Sequence, residues 1–318
     1  MITIFGKPLL LLYGQLTLGL INGAFYALLS LGLAVIFGML NIINFAHGAL
    51  FMMGAFVAWM LLQPNQWLPD DWTPFGLNLH WNLQVPDGIG VSYWPALLIV
   101  PLIVGAFGVV MEKLLINRLY KLDQLYGLLL TFGCALIIEG LARNQFGSSG
   151  MPYAIPEALS GPIDLGFMKL PAYRAWVVVA AASVCLLTWL VIEKTPIGST
   201  LRAATENAAL VQAFGVNVPR LMTLTFGAGV ALAAFAGVLA APIYSVNPGM
   251  GSNFIITVFA VVVIGGMGSI LGSIVTGFGL GIVEGLTKVY YPQASATVIF
   301  MVMVIVLLLR PAGLFGKT

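Results

Sequence analysis

Apolar residues fall in long runs along the chain, at about 9–28, 30–42, 47–62, 93–112, 125–143, 174–192, 221–242, 254–265, 269–287 and 293–310. Several runs reach the ~20 residues that carry a helix across ~30 Å of hydrocarbon. The pattern predicts an all-α polytopic membrane bundle, a single domain of about eight to ten transmembrane helices. Runs 30–42 and 254–265 are too short to span alone and are expected as thin, tilted, broken or re-entrant helices.

Charge placement sets the expected orientation, because short cytoplasmic loops collect Lys and Arg. Lys113, Arg118 and Lys121 share one connection, Lys194, Arg202 and Arg220 another, and Arg310 and Lys317 close the chain. Connections 63–92 and 243–253 hold no Lys or Arg. Ten crossings starting from a cytoplasmic Lys7 put the basic connections and both termini inside. Lys169 and Arg174, near the outer 144–173 connection, run against that scheme. Residues 63–92, rich in Trp, Pro and Asp, and 146–171, rich in Gly, Pro and Ser, are expected as periplasmic caps.

Composition agrees with a lipid environment: of 318 residues 60% are hydrophobic and 8% charged, against about a quarter charged in a soluble domain. A net charge of +2 without a basic block gives no sign of nucleic-acid binding. Cys134 and Cys185 lie in separate apolar runs and read as small hydrophobes. The first apolar stretch outruns the ~7–15 residues of a signal-peptide core, so it is expected to stay in the mature protein.

Four features stand out of the apolar background. Residues 193–219, EKTPIGSTLRAATENAALVQAFGVNVP, predict a short cytoplasmic helix over about 199–215, capped by Ser199 and closed by Gly215 and Pro219. Leu201, Ala204, Ala208 and Val211 share one face, with Arg202, Glu206 and Gln212 off it. The alanines make a poor membrane anchor, which favours docking of another protein over lying on the bilayer.

The second feature is the polar island NIINFAHG at 41–48, where Asn44 and His47 sit at membrane depth. It reads either as a helix break lining a solute path or as a break whose asparagines cap the flanking helices. His47 is assigned no chemistry. The third is a row of small residues four apart, Gly265, Ser269, Ser273, Gly277, Gly281 and Gly285. It is a close-packing signal, with a gate lining as the lesser reading. The row drifts around the helix, which predicts contact with several neighbours. The fourth is the pair Glu139 and Glu284, acidic residues inside apolar runs, with Arg143 and Lys288 at i+4. They read as snorkelling ion pairs rather than proton relays. No catalytic, cofactor-binding or metal-ligating constellation is recognisable, so the chain does not read as an enzyme.

Three stretches together resemble the branched-chain amino acid ABC transporter permeases: LGLAVIFGMLNIINFAHG at 31–48, running on to GAF at 54–56; residues 198–218; and FAVVVIGGMGSILG at 259–272 with Glu284. The resemblance implies a multi-pass subunit of an ATP-driven importer in the bacterial inner membrane, working by alternating access. Its implied partners are a second homologous permease, two cytoplasmic ATPases that bind the ATP, and a periplasmic solute-binding protein. Residues 198–218 resemble the coupling helix that docks on the ATPase, with Arg202, Ala203, Glu206, Ala208, Phe214 and Gly215 as its contact residues. The interrupted segments mark the expected translocation path at Asn41, Asn44, His47, Gly265, Gly266 and Ser269. A urea or short-chain amide importer of the same permease type is the alternative, and an ion-driven secondary transporter a more distant one.

Overall fold

The computed structural model describes residues 3–4, 7–40, 42–64, 91–120, 122–166 and 168–316. Most of connection 63–92 and Asn41, Lys121 and Lys317 thus lie outside the described residues. Eleven α-helices are present among the described residues: α1 Leu9–Leu40, α2 Ala46–Leu62, α3 Tyr93–Leu114, α4 Gln124–Phe146, α5 Ala172–Lys194, α6 Pro196–Glu206, α7 Ala208–Ala213, α8 Val218–Tyr244, α9 Met250–Gly265, α10 Ile270–Tyr290 and α11 Val298–Leu309. Six of them are long and apolar enough to cross a membrane, and α2, α9 and α11 are shorter apolar helices. The chain is therefore a multi-pass helical membrane protein. Strand is confined to short pieces such as the antiparallel pair β1 Pro162–Asp164 and β2 Lys169–Pro171, with Ile163 opposite Leu170.

The expected separate runs 9–28 and 30–42 are one helix of 32 residues. Ser30 and Gly32, just after the gap between the two runs, form a packing seam. The Ser30 hydroxyl donates to Ala27 O at 3.1 Å within the helix, and a Cβ at Gly32 would lie 2.8 Å from Gly229 O. Small residues here admit a neighbour's backbone instead of ending the helix.

That continuity overturns the expectation of both termini on one side. Helix α1 runs antiparallel to α10, with Gly19 against Gly281 and Gly285 near its start, and Gly38 against Gly268 near its end. Gly316 lies against Gly266, beside Gly268. The start of α1 and the end of the chain thus occupy opposite ends of the bundle. The end nearer Gly316 also carries Lys113, Arg118, Lys194, Arg202, Arg220 and Arg310, and is called the basic end below.

Helices α1 and α8 form the buried centre, with Ala24, Ala27, Leu28, Leu31, Ala233, Ala234 and Ala236 sealed from the surface. Lipid tails are as apolar as leucine, so close van der Waals fit has to supply helix adhesion. Small residues make that fit possible. A Cβ at Gly54 of α2 would lie 2.5 Å from Ala234 Cα of α8, and Gly237 of α8 has no room for one against Phe51 of α2. Ser273, Gly277, Gly281 and Gly285 all face α1, through Ser30, Ala27, Gly19 and Gln15. Gly265 belongs to α9 and meets Gly272, so the part of the row within α10 meets one neighbour and not the several predicted. One crossing helix follows its incline, the geometry in which i, i+4 ridges pack together.

Helix starts are capped where the chain turns. Asp123 accepts from Leu125 N at 2.9 Å at α4, Asn217 from Arg220 N at 3.1 Å at α8, and Ser269 from Gly272 N at 3.1 Å at α10.

Candidate functional site

Residues 42–45 lie in the break between α1 and α2, and His47 is in the first turn of α2. Asn44 and His47 are sealed from the surface, His47 Nε2 lies 3.1 Å from Leu29 O, and the Thr131 hydroxyl donates to Ile43 O at 3.2 Å. Neither amide atom of Asn44, nor His47 Nδ1, has a partner among the described residues. Each such group costs about 1–3 kcal/mol when left dry. Helix α2 starts inside the bundle: Gly48 packs on Gly251 at the start of α9, and Thr131 sits two turns into α4.

The other expected path residues lie elsewhere. Gly265 ends α9 against Gly272, Gly266 follows it with φ +100°, and Ser269 caps α10. Leu314 N and Phe315 N donate to the terminal carbonyls of Ile264 and Gly265, so the chain end covers this turn. Ser269 also lines a cavity of about 400 Å³ at the basic end, with Phe37, Glu193, Arg202 and Phe315. The expected set therefore splits into two groups at opposite ends of α9. Asn41 lies outside the described residues.

The 194–218 connection is two helices rather than one. Thr195 takes the cap position with Pro196 at the first turn, and Ser199, expected as the cap, sits inside α6 and donates back to Pro196 O at 2.9 Å. Thr-Pro at a helix start was the readable signal. Asn207 then breaks the helix and caps α7, accepting from Leu210 N at 2.9 Å. Of the expected stripe, Leu201, Ala204 and Val211 are buried, but the break turns Ala208 out to the surface. Ala203, Glu206 and Gly215 are exposed as well. Arg202 holds the segment to α5, donating to Ile192 O and Glu193 Oε2, each at 2.6 Å. The outer face presents Ile197 (59% exposed), Leu210 (55%) and Phe214 (80%) among polar residues.

Two buried carboxylates have partners that the sequence did not reveal. Glu284 is more than a snorkelling partner of Lys288. It also accepts from the Tyr26 hydroxyl at 2.8 Å and Asn22 Nδ2 at 3.4 Å, and the Tyr244 hydroxyl donates to Asn22 at 3.2 Å. Glu112 is fully buried at the basic end of α3 and accepts from the Thr223 hydroxyl at 2.7 Å and from Tyr120. Burial, reinforced by the Glu112 carboxylate beside it, pushes the Tyr120 phenol up from its ordinary value. Glu139 behaves as expected, pairing with Arg143 at 2.7 Å on the surface of α4. No group of His, Cys, Asp and Glu able to hold a metal occurs among the described residues.

Interrupted apolar helices, sealed polar groups at a helix break and an exposed apolar tip at the basic end are features of a multi-pass membrane protein. The chain belongs to the family described as branched-chain amino acid transport system / permease component, which matches residues 15–309. It is 28% identical over 312 residues to the high-affinity branched-chain amino acid permease LivH of Salmonella typhimurium, covering 95% of each chain. It is 29% identical over 310 residues to BraD of Pseudomonas aeruginosa, again covering 95% of each. A probable LivH of Methanocaldococcus jannaschii is 28% identical over 300 residues, 91% of this chain and 88% of its own. No solved structure matches the chain significantly.

Proposed function

We propose that the protein is a permease subunit of an ATP-driven importer of branched-chain amino acids in the bacterial inner membrane, working by alternating access without covalent chemistry on its cargo. The carrying observation is the two-helix connection at the basic end, buried on one side and offering Phe214, Leu210 and Ile197 on the other. A large aromatic exposed among polar residues suits a partner's pocket. The positive-inside rule assigns the basic end to the cytoplasm, where ATPases would dock. The end of the chain would then be cytoplasmic and the start of α1 periplasmic.

The partners in this reading are a second related permease, two ATPases and a periplasmic solute-binding protein. Unpaired polar groups survive at membrane depth where they meet a wet cavity, so Asn44 and His47 would border the solute path. Solubilising the chain from its native membrane in mild detergent tests the assembly. ATPases and a second permease should co-purify, and their consistent absence would overturn the importer reading.

A further inference from the structure

Beside the α1–α2 break lies a small cleft between α2, α4 and α9. Its walls include Phe45, Phe132, Gly48 and Gly251, and the carboxylate-bearing Glu139 completes them. Phe45 and Phe132 meet edge to face, with ring centroids 6.4 Å apart. Gly48 and Gly251 bring α2 and α9 together so closely that a Cβ at Gly48 would lie 2.6 Å from Gly251 O. Arg143 stands one turn further from the basic end and is bound to Glu139, its only side-chain partner among the described residues.

We propose that this cleft is the permease's half of a site for a zwitterionic, aliphatic amino acid, an inference that rests on the importer reading above. Glu139 takes the solute ammonium, Arg143 takes its carboxylate, and the Phe45–Phe132 wall takes the branched side chain. Charge and position decide among the cavities: the cavity at the basic end also carries a pair, Glu193 and Arg202, but Arg202 there is engaged in holding α6 to α5 through Ile192 O and Glu193. A free amino acid cannot leave water without partners for both of its charges. The larger cavity on the other side of α4, about 350 Å³ and lined by Met52, Met53, Phe56, Phe107 and Leu141, offers no charged group. Size explains why the cleft is only half a site: at about 60 Å³ it is far below the ~300 Å³ of an enclosed small-molecule pocket. The second permease would close it. Paired to each other in the empty subunit, Glu139 and Arg143 avoid an uncompensated charge, and the solute replaces one ion pair by two.

A zwitterionic lipid headgroup carries the same two charges, so the test has two lipid arms. The complete importer, purified with its partner subunits, is reconstituted in liposomes with and without phosphatidylethanolamine, and leucine uptake and ATP hydrolysis are measured together. Glu139→Gln and Phe132→Ala should each lower leucine uptake per ATP about tenfold in both lipids, with Glu139→Asp retaining most of it. Wild-type uptake per ATP in both variants overturns the site while leaving the importer reading intact. A defect confined to liposomes containing phosphatidylethanolamine also overturns it, in favour of lipid. A wild-type complex that carries no branched-chain amino acid overturns the reading beneath. If Glu139→Gln does not assemble, Phe132→Ala decides alone, because its ring is 48% exposed and its loss leaves the core packed.

Discussion

Tyr26 on α1 and Glu284 on α10, 258 residues apart in sequence, share a 2.8 Å hydrogen bond inside the bundle. Lys288 is partly exposed, so the phenol and Asn22 are the inward supports of a carboxylate that is almost sealed from the surface. Hydrogen bonds to charged groups contribute about 1.5–3 kcal/mol. Tyr26→Phe should lower thermal stability in detergent by that amount, and Glu284→Gln in the Tyr26→Phe background should cost less than it does alone, as a double-mutant cycle reads directly.

Glycines should divide into two classes. Gly54→Ala puts a methyl 2.5 Å from Ala234 Cα and must push α2 off α8, costing about 1–3 kcal/mol or more. Gly133→Ala, with nothing within 4 Å on the face of α4, should stabilise by about 0.5–1 kcal/mol through helix propensity. Thermal unfolding of both variants in one detergent checks the sign of each.

The two-helix connection predicts a surface that can be damaged without damaging the fold. Phe214→Ala should leave the melting temperature within about 1 °C, since surface changes stay within ~0.5 kcal/mol. In the importer reading it should weaken ATPase binding at least tenfold, as loss of an aromatic anchor does. Arg202→Glu should instead loosen α6 from α5, because the guanidinium binds Ile192 O and Glu193. Hydrogen exchange over 196–213 separates the two effects.

Tyr153, in the connection after α4, is buried with its hydroxyl unpartnered among the described residues. Burial, with a lesser contribution from Tyr93, pushes its phenol up. A group whose pKa is higher in the folded state stabilises fully below its unfolded pKa and loses that contribution as pH rises past it. Stability should therefore fall above about pH 10, the unperturbed tyrosine value. Tyr153→Phe should reduce that fall and be neutral or slightly stabilising at pH 7, as melting curves between pH 7 and 11 would record.

The apolar runs made the membrane class and most helices legible, and the resemblance at 31–48, 198–218 and 259–272 located the family. What stayed hidden depended on distant contacts. Tyr26 in an apolar run looks like filler until Glu284 arrives from the far end of the chain. Glu112 closes a run beside Lys113 and reads as an interfacial charge, yet Thr223 and Tyr120 enclose it. Ser30 and Gly32 carry the composition of a helix boundary, and only Gly229 and Ser273 show that they are a seam. The two parts of the expected path, Asn44 with His47 and Gly265 to Ser269, both mark interruptions of apolar runs, but α9 holds them apart.

Helix α1 is 32 residues of unbroken α-helix, about 48 Å at ~1.5 Å per residue and longer than the hydrocarbon is thick. Near its start it is wedged on α10 through Gln15 and Gly19 against Gly285 and Gly281, Tyr26 and Glu284 fasten it at mid-length, and at its end Gly38 rests on Gly268 beside the Arg202 cavity. A rigid rod clamped near both faces behaves as a pushrod. A tilt imposed at one face must reappear at the other, so α1 gives the two sides of the membrane a single mechanical connection.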